Sequence, residues 1–390
     1  MVGSPLEGQS TPAGAGTAPL AADTPDDWRR RTFDDFIRSR SPGLDAVRLI
    51  LAFLVLVSHT WPLGGFGREP RSPLSPDLTL GGFAVAGFFA ISGMLVGRSA
   101  LSRPTAAFAR ARAARIAPAF WTALLVGAFV VAPLGWYHAH DTLSGFLTIE
   151  PGGPVTHVLR GALFPIDFPY GITSVFVNDT PFGRSTGSSF VNGSLWTLPH
   201  EMRCYLVIGV VAVIARRWGG RRAVVAAWLV VAVLAVAYWK RGGPTGFVLD
   251  DYVGAQLVMF LFVFLSGAVV GLWADRVRLF GVLPLVALAM ALLAGHSSVF
   301  LAEHVSGAAL ALVLPPIAAA LEPLGRLLRG NDVSYGLYLY AWPVQQLIAM
   351  YWAPGGAATF VIASTACTLS LAAASWFLVE RPVMQRWRRA

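Results

Sequence analysis

Arg48 and His59 are two ionisable residues inside one apolar stretch, residues 46–63, with ten residues between them. Ionisable side chains are costly inside a hydrocarbon layer, so they commonly mark a functional site. Eleven helical steps of about 100° return to within roughly 20° of the starting direction and rise about 16 Å. The spacing therefore predicts a guanidinium and an imidazole on one helix face, a pair suited to anion binding and proton transfer.

The elements that must hold these residues are membrane-spanning helices. The chain of 390 residues is 55% apolar and only 13% charged, a composition that excludes a soluble domain with a single core. Apolar stretches of about 17–25 residues are the signal for spanning helices. Ten such stretches are predicted, at residues 46–63, 81–97, 114–135, 200–215, 222–239, 254–273, 279–294, 303–321, 335–352 and 358–378. We therefore expect an all-α, polytopic membrane bundle of about ten transmembrane helices.

The distribution of basic residues predicts the orientation of this bundle, because Lys and Arg are retained on the cytoplasmic side. With ten spans and both termini cytoplasmic, 22 of the 30 basic residues fall inside and six fall outside. The arginines recur in alternate connections, and this pattern accounts for the net charge of +9. A nucleic-acid-binding protein would instead cluster its charge on one soluble face. Membrane lipids are therefore expected partners, and nucleic acid is not.

Three regions are predicted along the chain. Residues 1–42 are rich in Pro, Gly, Ala, Thr and Ser and lack an apolar signal segment, so we expect a disordered cytoplasmic tail. Residues 43–385 are expected to form the membrane domain, and residues 386–390 a basic C-terminal tail. The membrane domain is where any chemistry must lie.

One outer connection, residues 136–199, is far longer than the others, and its aromatic, carboxylate and amide residues favour either a sugar-binding surface or a lid against the headgroups. Pro199 suits the first turn of a helix, which places Glu201 just inside the outer end of the fourth span. His59 lies about 20 Å above the inner end of its own span. The two residues can therefore meet at one depth, where the carboxylate can orient the imidazole and support its conjugate acid.

Six blocks of this sequence resemble the membrane acyltransferase-3 family. They are Arg48-x10-His59, Gly87-Phe-Phe-Ala-Ile-Ser-Gly-Met-Leu95, Phe108-Ala-Arg-Ala-Arg-Ala-Ala-Arg-Ile-Ala-Pro118, Ser194-Leu-Trp-Thr-Leu-Pro-His-Glu201, Asp332-Val-Ser-Tyr-Gly-Leu-Tyr-Leu-Tyr340 and Val379-Glu-Arg-Pro382. The blocks occur in the family's order and cover residues 43–385. One departure is Tyr340-Ala-Trp-Pro343, where many members have a histidine before Trp-Pro, so no role is expected for a second histidine there.

The resemblance implies an integral O-acyltransferase of the bacterial cytoplasmic membrane, acting on surface carbohydrates or antibiotics, and it assigns residues one by one. His59 takes the position of the family's essential histidine, Arg48 that of the arginine below it, and Glu201 that of the glutamate in the Leu-Trp-x-Leu block. Arg112 and Arg115 match the Arg-x-x-Arg pair of the first cytoplasmic loop.

An acyl-CoA made in the cytoplasm is the expected donor. Arginine binds the phosphates of such a head group through paired hydrogen bonds. Arg112 and Arg115, three residues apart, can share one helix face, and Arg48 can hold a remaining phosphate or guide the pantetheine arm. Acyl-CoA is thus expected as a substrate, with no tightly bound cofactor and no metal.

At the outer end, His59 is expected to take the proton of an acceptor hydroxyl as that hydroxyl attacks the thioester, with Glu201 holding the other ring nitrogen. Such base catalysis is worth about 10²–10⁴-fold. Alternatively, His59 is acylated first and then hands on the acyl group, and the sequence leaves both routes open. Candidate substrate-binding residues and oxyanion donors in the same segment are Asn192, Ser194 and Trp196.

The rival class is a proton-coupled transporter or flippase, because intramembrane His, Arg and Glu also mark proton relays. Against it, the sequence shows no internal repeat and no paired interrupted helices. Taken singly, Arg48 could snorkel to the headgroups with Asp45 as its partner, and the arginines of residues 110–115 could serve topology alone. A pure transporter should show no acetyl-CoA hydrolysis.

The acceptor is expected to be a hydroxyl of a carbohydrate or of a lipid-linked glycan. Because no soluble domain follows residue 385, we expect the membrane domain to perform donor capture and transfer alone, which favours a small acyl group, acetyl first. One lysine against 29 arginines is typical of a GC-rich genome and hence of a bacterium.

Overall fold

The computed structural model describes residues 30–39, 41–165, 170–240 and 251–389. In chain order its helices are α1 (Phe33–Arg38), α2 (Gly43–Gly64), α3 (Leu80–Ser102), α4 (Thr105–Val126), α5 (Ala132–His140), α6 (Pro154–Gly161), α7 (Pro181–Thr186), α8 (Thr197–Trp218), α9 (Gly220–Lys240), α10 (Asp251–Leu272), α11 (Val282–Gly295), α12 (Val299–Leu301), α13 (Gly307–Ala320), α14 (Glu322–Leu327), α15 (Ser334–Tyr351), α16 (Ala357–Ser375) and α17 (Arg381–Arg389). The predicted all-α class is confirmed.

Short segments complete this list. Single π-helical turns join α4 to α5, α12 to α13 and α16 to α17, at Gly127–Val131, Ala302–Ser306 and Trp376–Glu380. Two 3-10 turns lie at Phe146–Thr148 and Gly193–Trp196, and two short antiparallel strands, β1 (Arg71–Ser72) and β2 (Ser75–Thr79), follow α2.

Eight helical stretches among the described residues are long and apolar enough to cross a membrane. They are Gly43–Gly64, Leu80–Ser102, Thr105–His140, Gly193–Arg217, Gly220–Lys240, Gly254–Leu272, Val299–Ala320 and Ala357–Trp387, and they coincide with eight of the ten predicted spans. The other two predicted spans are also helical: α11 is apolar but has 14 residues, and α15 is less apolar because it carries Gln345 and Gln346. The count of ten and the cytoplasmic termini stay predictions.

The bundle is held together in part by the close approach of α3 and α10, which glycines permit. A Cβ at Gly93 would lie 1.8 Å from the carbonyl oxygen of Phe264, and one at Gly267 would lie 2.2 Å from that of Ala90. Each helix carries two glycines four residues apart, Gly93 and Gly97 on α3 and Gly267 and Gly271 on α10. Such small-residue faces let membrane helices pack backbone to backbone.

Helix α2, which carries Arg48 and His59, lies inside the bundle between α3, α15 and α16. Its Leu51, Val55 and Leu56 are at most 2% exposed. Because the helix runs unbroken from Gly43 to Gly64, the predicted relation between Arg48 and His59 rests on a rigid element.

The prediction of a disordered tail up to residue 42 is wrong for its last part. Thr32 and Asp35 form a capping box that starts α1, and Phe33 and Phe36 are 0% and 1% exposed in the core. The apolar burial explains why this segment is ordered. Residues 1–29 lie outside the described residues, as does Arg40. The predicted basic tail at the other end, residues 386–390, stays a prediction; its residues up to Arg389 belong to α17.

The long connection also differs from its predicted bounds, because helix α5 continues to His140. Beyond it the chain folds back on α4 and α5, with Phe146, Ile172, Phe176 and Val191 in a small apolar core. Residues 166–169 lie outside the described residues. The connection, residues 141–192, marks one end of the bundle, called here the long-loop end. The opposite end, where α1, α17, Arg103 and Arg110 lie, is called the arginine-rich end.

Candidate active site

A cavity of about 1130 Å³ enters the bundle from the arginine-rich end. Its charged lining residues are Arg48, Arg103, Arg110, Arg112, Arg115, Asp45, Glu201 and Asp332. Five arginines against three carboxylates give this space, called here the arginine cavity, an excess of positive charge that attracts anions. Its volume is slightly above the roughly 300–1,000 Å³ usual for small-molecule sites.

Four of the predicted site residues therefore come together in one place. Arg48 enters from α2, Arg112 and Arg115 from α4, and Glu201 from α8. Arg112 and Arg115 do share a helix face, as their spacing predicted. The convergence of three separate helices on this space makes it a candidate for binding a large anionic molecule.

Asp332, in the connection before α15, holds two of these arginines. Its carboxylate lies 2.5 Å from Nη2 of Arg115 and 3.7 Å from Nη1 of Arg48. Burial alone would raise the pKa of Asp332, but Arg115 and Arg48 lower it to about 2. The carboxylate is thus ionised and fixes the two guanidinium groups. The sequence places Asp332 directly before a predicted span, but the arginines that it contacts are visible only in the structure.

Arg112 and Glu201 are joined through Tyr205. The guanidinium of Arg112 lies 5.8 Å from the centre of the Tyr205 ring, a cation–π contact, and its buried Nε has no hydrogen-bond partner among the described residues. The Tyr205 hydroxyl donates a hydrogen bond to Glu201 Oε1, one helical turn away. The predicted hydrogen bond between Glu201 and His59 is not formed in the described part of the chain, so support of His59 by Glu201 stays a prediction.

Arg103 and Arg110 differ from the deeper arginines. Both are exposed at the mouth of the arginine cavity, and their guanidinium groups make no ion pair or hydrogen bond to another described residue. Arg48 and Arg115, by contrast, are paired with Asp332. The mouth therefore carries the arginines that are free to meet a charged ligand.

His59 lies outside the arginine cavity, near the long-loop end of α2. The rings of His59 and Trp342 are in edge-to-face contact, with their centres 4.9 Å apart. Nδ1 of His59 and Nε1 of Trp342 are both buried, and neither has a hydrogen-bond partner among the described residues. Buried polar atoms are usually paired, so these two unpaired nitrogens on contacting rings are available to a bound polar molecule.

A carboxylate near His59 comes from Glu69, in the connection after α2. The hydroxyl of Ser58, which is fully buried, donates a hydrogen bond of 2.8 Å to Glu69 Oε2 and accepts one of 2.9 Å from the amide of Gly81. Because Ser58 directly precedes His59, this hydrogen bond holds the Glu69 carboxylate in the neighbourhood of the imidazole. No pattern in the sequence points to Glu69, because it lies in no predicted span. Ser58, His59, Glu69 and Trp342 are called here the His59 cluster.

Helices α2 and α15 run side by side in the same direction. The two predicted site residues of α2, Arg48 and His59, contact α15 or the residue just before it. Arg48 reaches Asp332 before the first turn, and His59 touches Trp342 ten residues further on. These two contacts support the predicted common face of Arg48 and His59.

The arginine cavity ends close to the His59 cluster. Thr197 and Tyr338 line its inner end, and their hydroxyl oxygens lie 2.7 Å apart. Trp342 is four residues after Tyr338 on α15, about 6 Å along the helix. A slender molecule that fills the cavity can therefore bring its tip near the imidazole of His59.

Aromatic residues of the long connection cover Trp342 from the long-loop end. The ring centres of Phe182 and Phe190 lie 5.1 Å and 6.4 Å from that of Trp342, and Tyr170 lies 5.1 Å from Phe190. Both predicted roles of this connection, sugar-binding surface and lid, fit aromatic rings in this position.

Comparison with known proteins decides the class. A family model described as an acyltransferase domain matches residues 41–379. The chain belongs to the acyltransferase-3 family. It is 27% identical over 360 residues to an O-acetyl transferase of Shigella phage Sf6, with 89% of this chain and 97% of that protein covered. It is 30% identical over 362 residues to nodulation protein 10 of Rhizobium leguminosarum bv. viciae, with 88% and 93% covered. No solved structure matches the chain.

This acyltransferase-3 protein is thus a membrane O-acyltransferase, and the predicted family and enzyme class are confirmed. Family membership covers both the arginine cavity and the His59 cluster, since Arg48, His59, Glu201 and Asp332 all lie within the matched residues. These two regions are therefore the candidates for the site of the activity.

Two predicted substrate-binding residues of the acyltransferase lie in packing positions. Asn192 is 1% exposed; its amide nitrogen donates to the carbonyl of Leu339, and its oxygen accepts from the amide of Ser194. Trp196 packs against Phe260, with ring centres 5.5 Å apart. Neither residue lines the arginine cavity, and substrate binding by Asn192 and Trp196 stays a prediction.

Proposed function

We propose that this O-acyltransferase moves an acetyl group from acetyl-CoA, bound from the cytoplasmic side, to a hydroxyl of a carbohydrate or lipid-linked glycan outside the bacterial cytoplasmic membrane. One observation carries the proposal: the arginine cavity enters from the arginine-rich end and stops one helical turn from the tryptophan that touches His59. The printed name of the phage relative, O-acetyl transferase, supports acetyl as the acyl group.

The orientation of the proposal rests on charge. The connections of the arginine-rich end are those predicted to be cytoplasmic, because they hold most of the arginines of the chain. In that orientation the mouth of the arginine cavity faces the compartment in which acyl-CoA is made. The His59 cluster then faces the outside, where surface carbohydrates lie.

Donor binding follows from the way charge changes along the cavity. The phosphates meet the exposed Arg103 and Arg110 at the mouth and Arg112 below it, because guanidinium groups pair with phosphate oxygens through two hydrogen bonds. The pantetheine arm then passes the Arg48–Asp332–Arg115 group. At the inner end, neutral side chains such as Thr197 and Tyr338 suit the thioester.

In the transfer step, the acceptor oxygen attacks the thioester carbon while His59 takes the hydroxyl proton. The tetrahedral intermediate then collapses, the carbon–sulfur bond breaks, and the thiolate of CoA takes the proton from His59. Trp342 Nε1, which has no partner among the described residues, is placed to donate a hydrogen bond to the oxyanion or the acceptor. Acylation of His59 itself is the alternative route.

The carboxylate best supported as the partner of His59 is Glu69, because its charge acts on the ring and Ser58 fixes its position. A negative charge there stabilises the imidazolium that forms during transfer. Glu201, predicted for this role, is bonded to Tyr205 in the arginine cavity. For Glu201 we propose a role on the donor side, where it positions Arg112 through Tyr205 for binding the phosphates.

The experiment is transfer of radiolabelled acetyl from acetyl-CoA to the host's carbohydrate fraction, using membranes with the wild type, His59→Ala and His296→Ala at matched expression. His296 is an exposed histidine after α11 and serves as the control. We expect label with the wild type and with the control, and none with His59→Ala. Equal label with His59→Ala would remove His59 from the mechanism. No label with any of the three would overturn acetyl-CoA as the donor.

A further inference from the structure

We propose that the C-terminal helix α17 forms a purine-binding subsite at the mouth of the arginine cavity, with Trp387 as the surface on which the adenine of the donor stacks. The inference rests on the proposed acyl-CoA donor and adds to it a residue and a helix that the family resemblance did not assign. It concerns the nucleotide end of the donor, far from the His59 cluster.

The geometry starts from two side chains of α17. Met384 and Trp387, three residues apart, both line the arginine cavity. Helix α17 packs against α4, the helix that begins beside Arg103 and carries Arg110. An aromatic ring and two arginines without ion-pair partners among the described residues therefore share one mouth.

Trp387 differs from the other tryptophan of this cavity. Trp376 is 6% exposed, and its Nε1 donates a hydrogen bond of 3.1 Å to Asn331 Oδ1, so packing accounts for it. Trp387 is 50% exposed while lining the cavity, so half of its surface is open to a ligand. A tryptophan at the membrane surface can also anchor a helix among headgroups, and that role is an outcome of the test below.

The first residues of α17 are anchored to the rest of the protein, so the position of Trp387 is preorganised. The preceding π-helical turn ends at Glu380, which is 2% exposed and accepts a hydrogen bond of 3.1 Å from Ser375. The guanidinium of Arg381 lies over the ring of Phe377, 5.9 Å from its centre. Because the helix starts from an anchored turn, little ordering is needed when a ligand binds.

The chemistry of this mouth matches a phosphorylated purine nucleoside. Purine rings stack on tryptophan faces whatever their substituents, and arginines beside the ring bind the phosphates. The same pair of groups would bind a free nucleotide such as adenosine 3′,5′-bisphosphate. A donor without a nucleotide would not meet Trp387 at all.

The first test compares two donors, acetyl-CoA and acetyl-pantetheine, which lacks the nucleotide. For Trp387→Ala we expect KM for acetyl-CoA to rise roughly 10-fold, with kcat and the kinetics of acetyl-pantetheine unchanged. Trp387→Phe should keep most of the affinity, since a phenyl ring also stacks. The matched control is Trp352→Ala, because Trp352 is 59% exposed at the long-loop end.

Two results would overturn the subsite: an unchanged KM for acetyl-CoA, or an equal rise in KM for both donors, as expected if Trp387 only anchors the helix. If the wild type uses acetyl-CoA and Trp387→Ala has the same kinetics, the subsite proposal is wrong but the proposed function still stands. Titration of the purified protein in nanodiscs with adenosine 3′,5′-bisphosphate tests the subsite without any transfer. Roughly 10-fold weaker binding by Trp387→Ala supports it, and absence of binding by the wild type overturns it.

Discussion

The arginine cavity and the His59 cluster lie at opposite ends of α2 and differ in which polar groups they leave unpaired. In the cavity, Arg48 and Arg115 are paired with Asp332. In the cluster, Nδ1 of His59 and Nε1 of Trp342 are buried without a partner among the described residues. Arg112 Nε in the cavity is also buried without a partner among the described residues, so each region keeps some groups that a substrate can satisfy.

The two regions also differ in how they are built. The arginine cavity is lined mainly by long helices, and its mouth is closed on one side by α17. The His59 cluster is covered by rings from the long connection, Phe182 and Phe190. A rigid helical wall suits one fixed donor, while a connection of irregular structure is the part of a fold that most readily varies with the acceptor.

The largest effect that would sharpen this comparison is expected from His59→Ala. Loss of a general base lowers kcat by about 10²–10⁴-fold. The affinity for CoA should stay unchanged, because His59 does not line the arginine cavity. Transfer kinetics together with calorimetric titration of CoA check both statements. A loss of CoA binding in this variant would mean that the two regions are one site.

The next largest effect is expected from Asp332→Asn, which leaves Arg48 and Arg115 without their shared carboxylate. Removing one partner of a buried ion pair costs about 3 kcal/mol or more, and we expect a lower thermal unfolding midpoint in detergent. Asp275→Asn is the control, because Asp275 is an exposed acid in a similar connection. An unchanged midpoint would show that the arginines hold their positions without Asp332.

The same carboxylate predicts a pH dependence of stability. Because the pKa of Asp332 in the folded state is about 2, below the usual 3.8, its ion pairs stabilise the fold above pH 3.8. This contribution is lost as the pH falls from about 4 towards 2. The fall of the unfolding midpoint over this range should be shallower for Asp332→Asn than for the wild type. Parallel curves would contradict the assignment.

A smaller effect is expected from Arg112→Ala, which tests the donor side alone. We expect KM for acetyl-CoA to rise about 10-fold, the loss of one charge-assisted contact of roughly 1.4 kcal/mol, with kcat nearly unchanged. Arg160→Ala, at the long-loop end, is the control. A fall in kcat without a change in KM would place Arg112 in the transfer step and blur the division between the two regions.

The smallest effect is expected from Glu69→Gln, which keeps the shape of the side chain and removes its charge. We expect kcat to fall about 5–10-fold, since roughly 1 kcal/mol of charge stabilisation is lost from the imidazolium. Glu201→Gln is the comparison: if Glu201 supports His59 as the sequence predicted, its kcat falls more than that of Glu69→Gln. If Glu201 belongs to the donor side, KM for acetyl-CoA changes instead.

Local patterns in the sequence sufficed for eight of the ten predicted spans and for the face shared by Arg48 and His59. The order around Phe33 was missed although Thr32 and Asp35 have capping-box spacing, because the low-complexity composition before them dominated the prediction. The end of the helix at His140 was placed too early because the segment 136–140 reads as polar and aromatic rather than apolar. Both errors lie at boundaries, where local signals are weakest.

By itself, the sequence determined the membrane class, eight of the helices, the acyltransferase-3 motifs and the alignment of Arg48 with His59, since all of these depend on local periodicity and composition. Only the tertiary structure decided that Asp332 pairs with Arg48 and Arg115, that Glu201 bonds to Tyr205, and that Glu69 lies near His59. The physical reason is that a side chain's partner depends on how helices pack. Residues 48 and 332 are far apart along the chain, and no helical period links them.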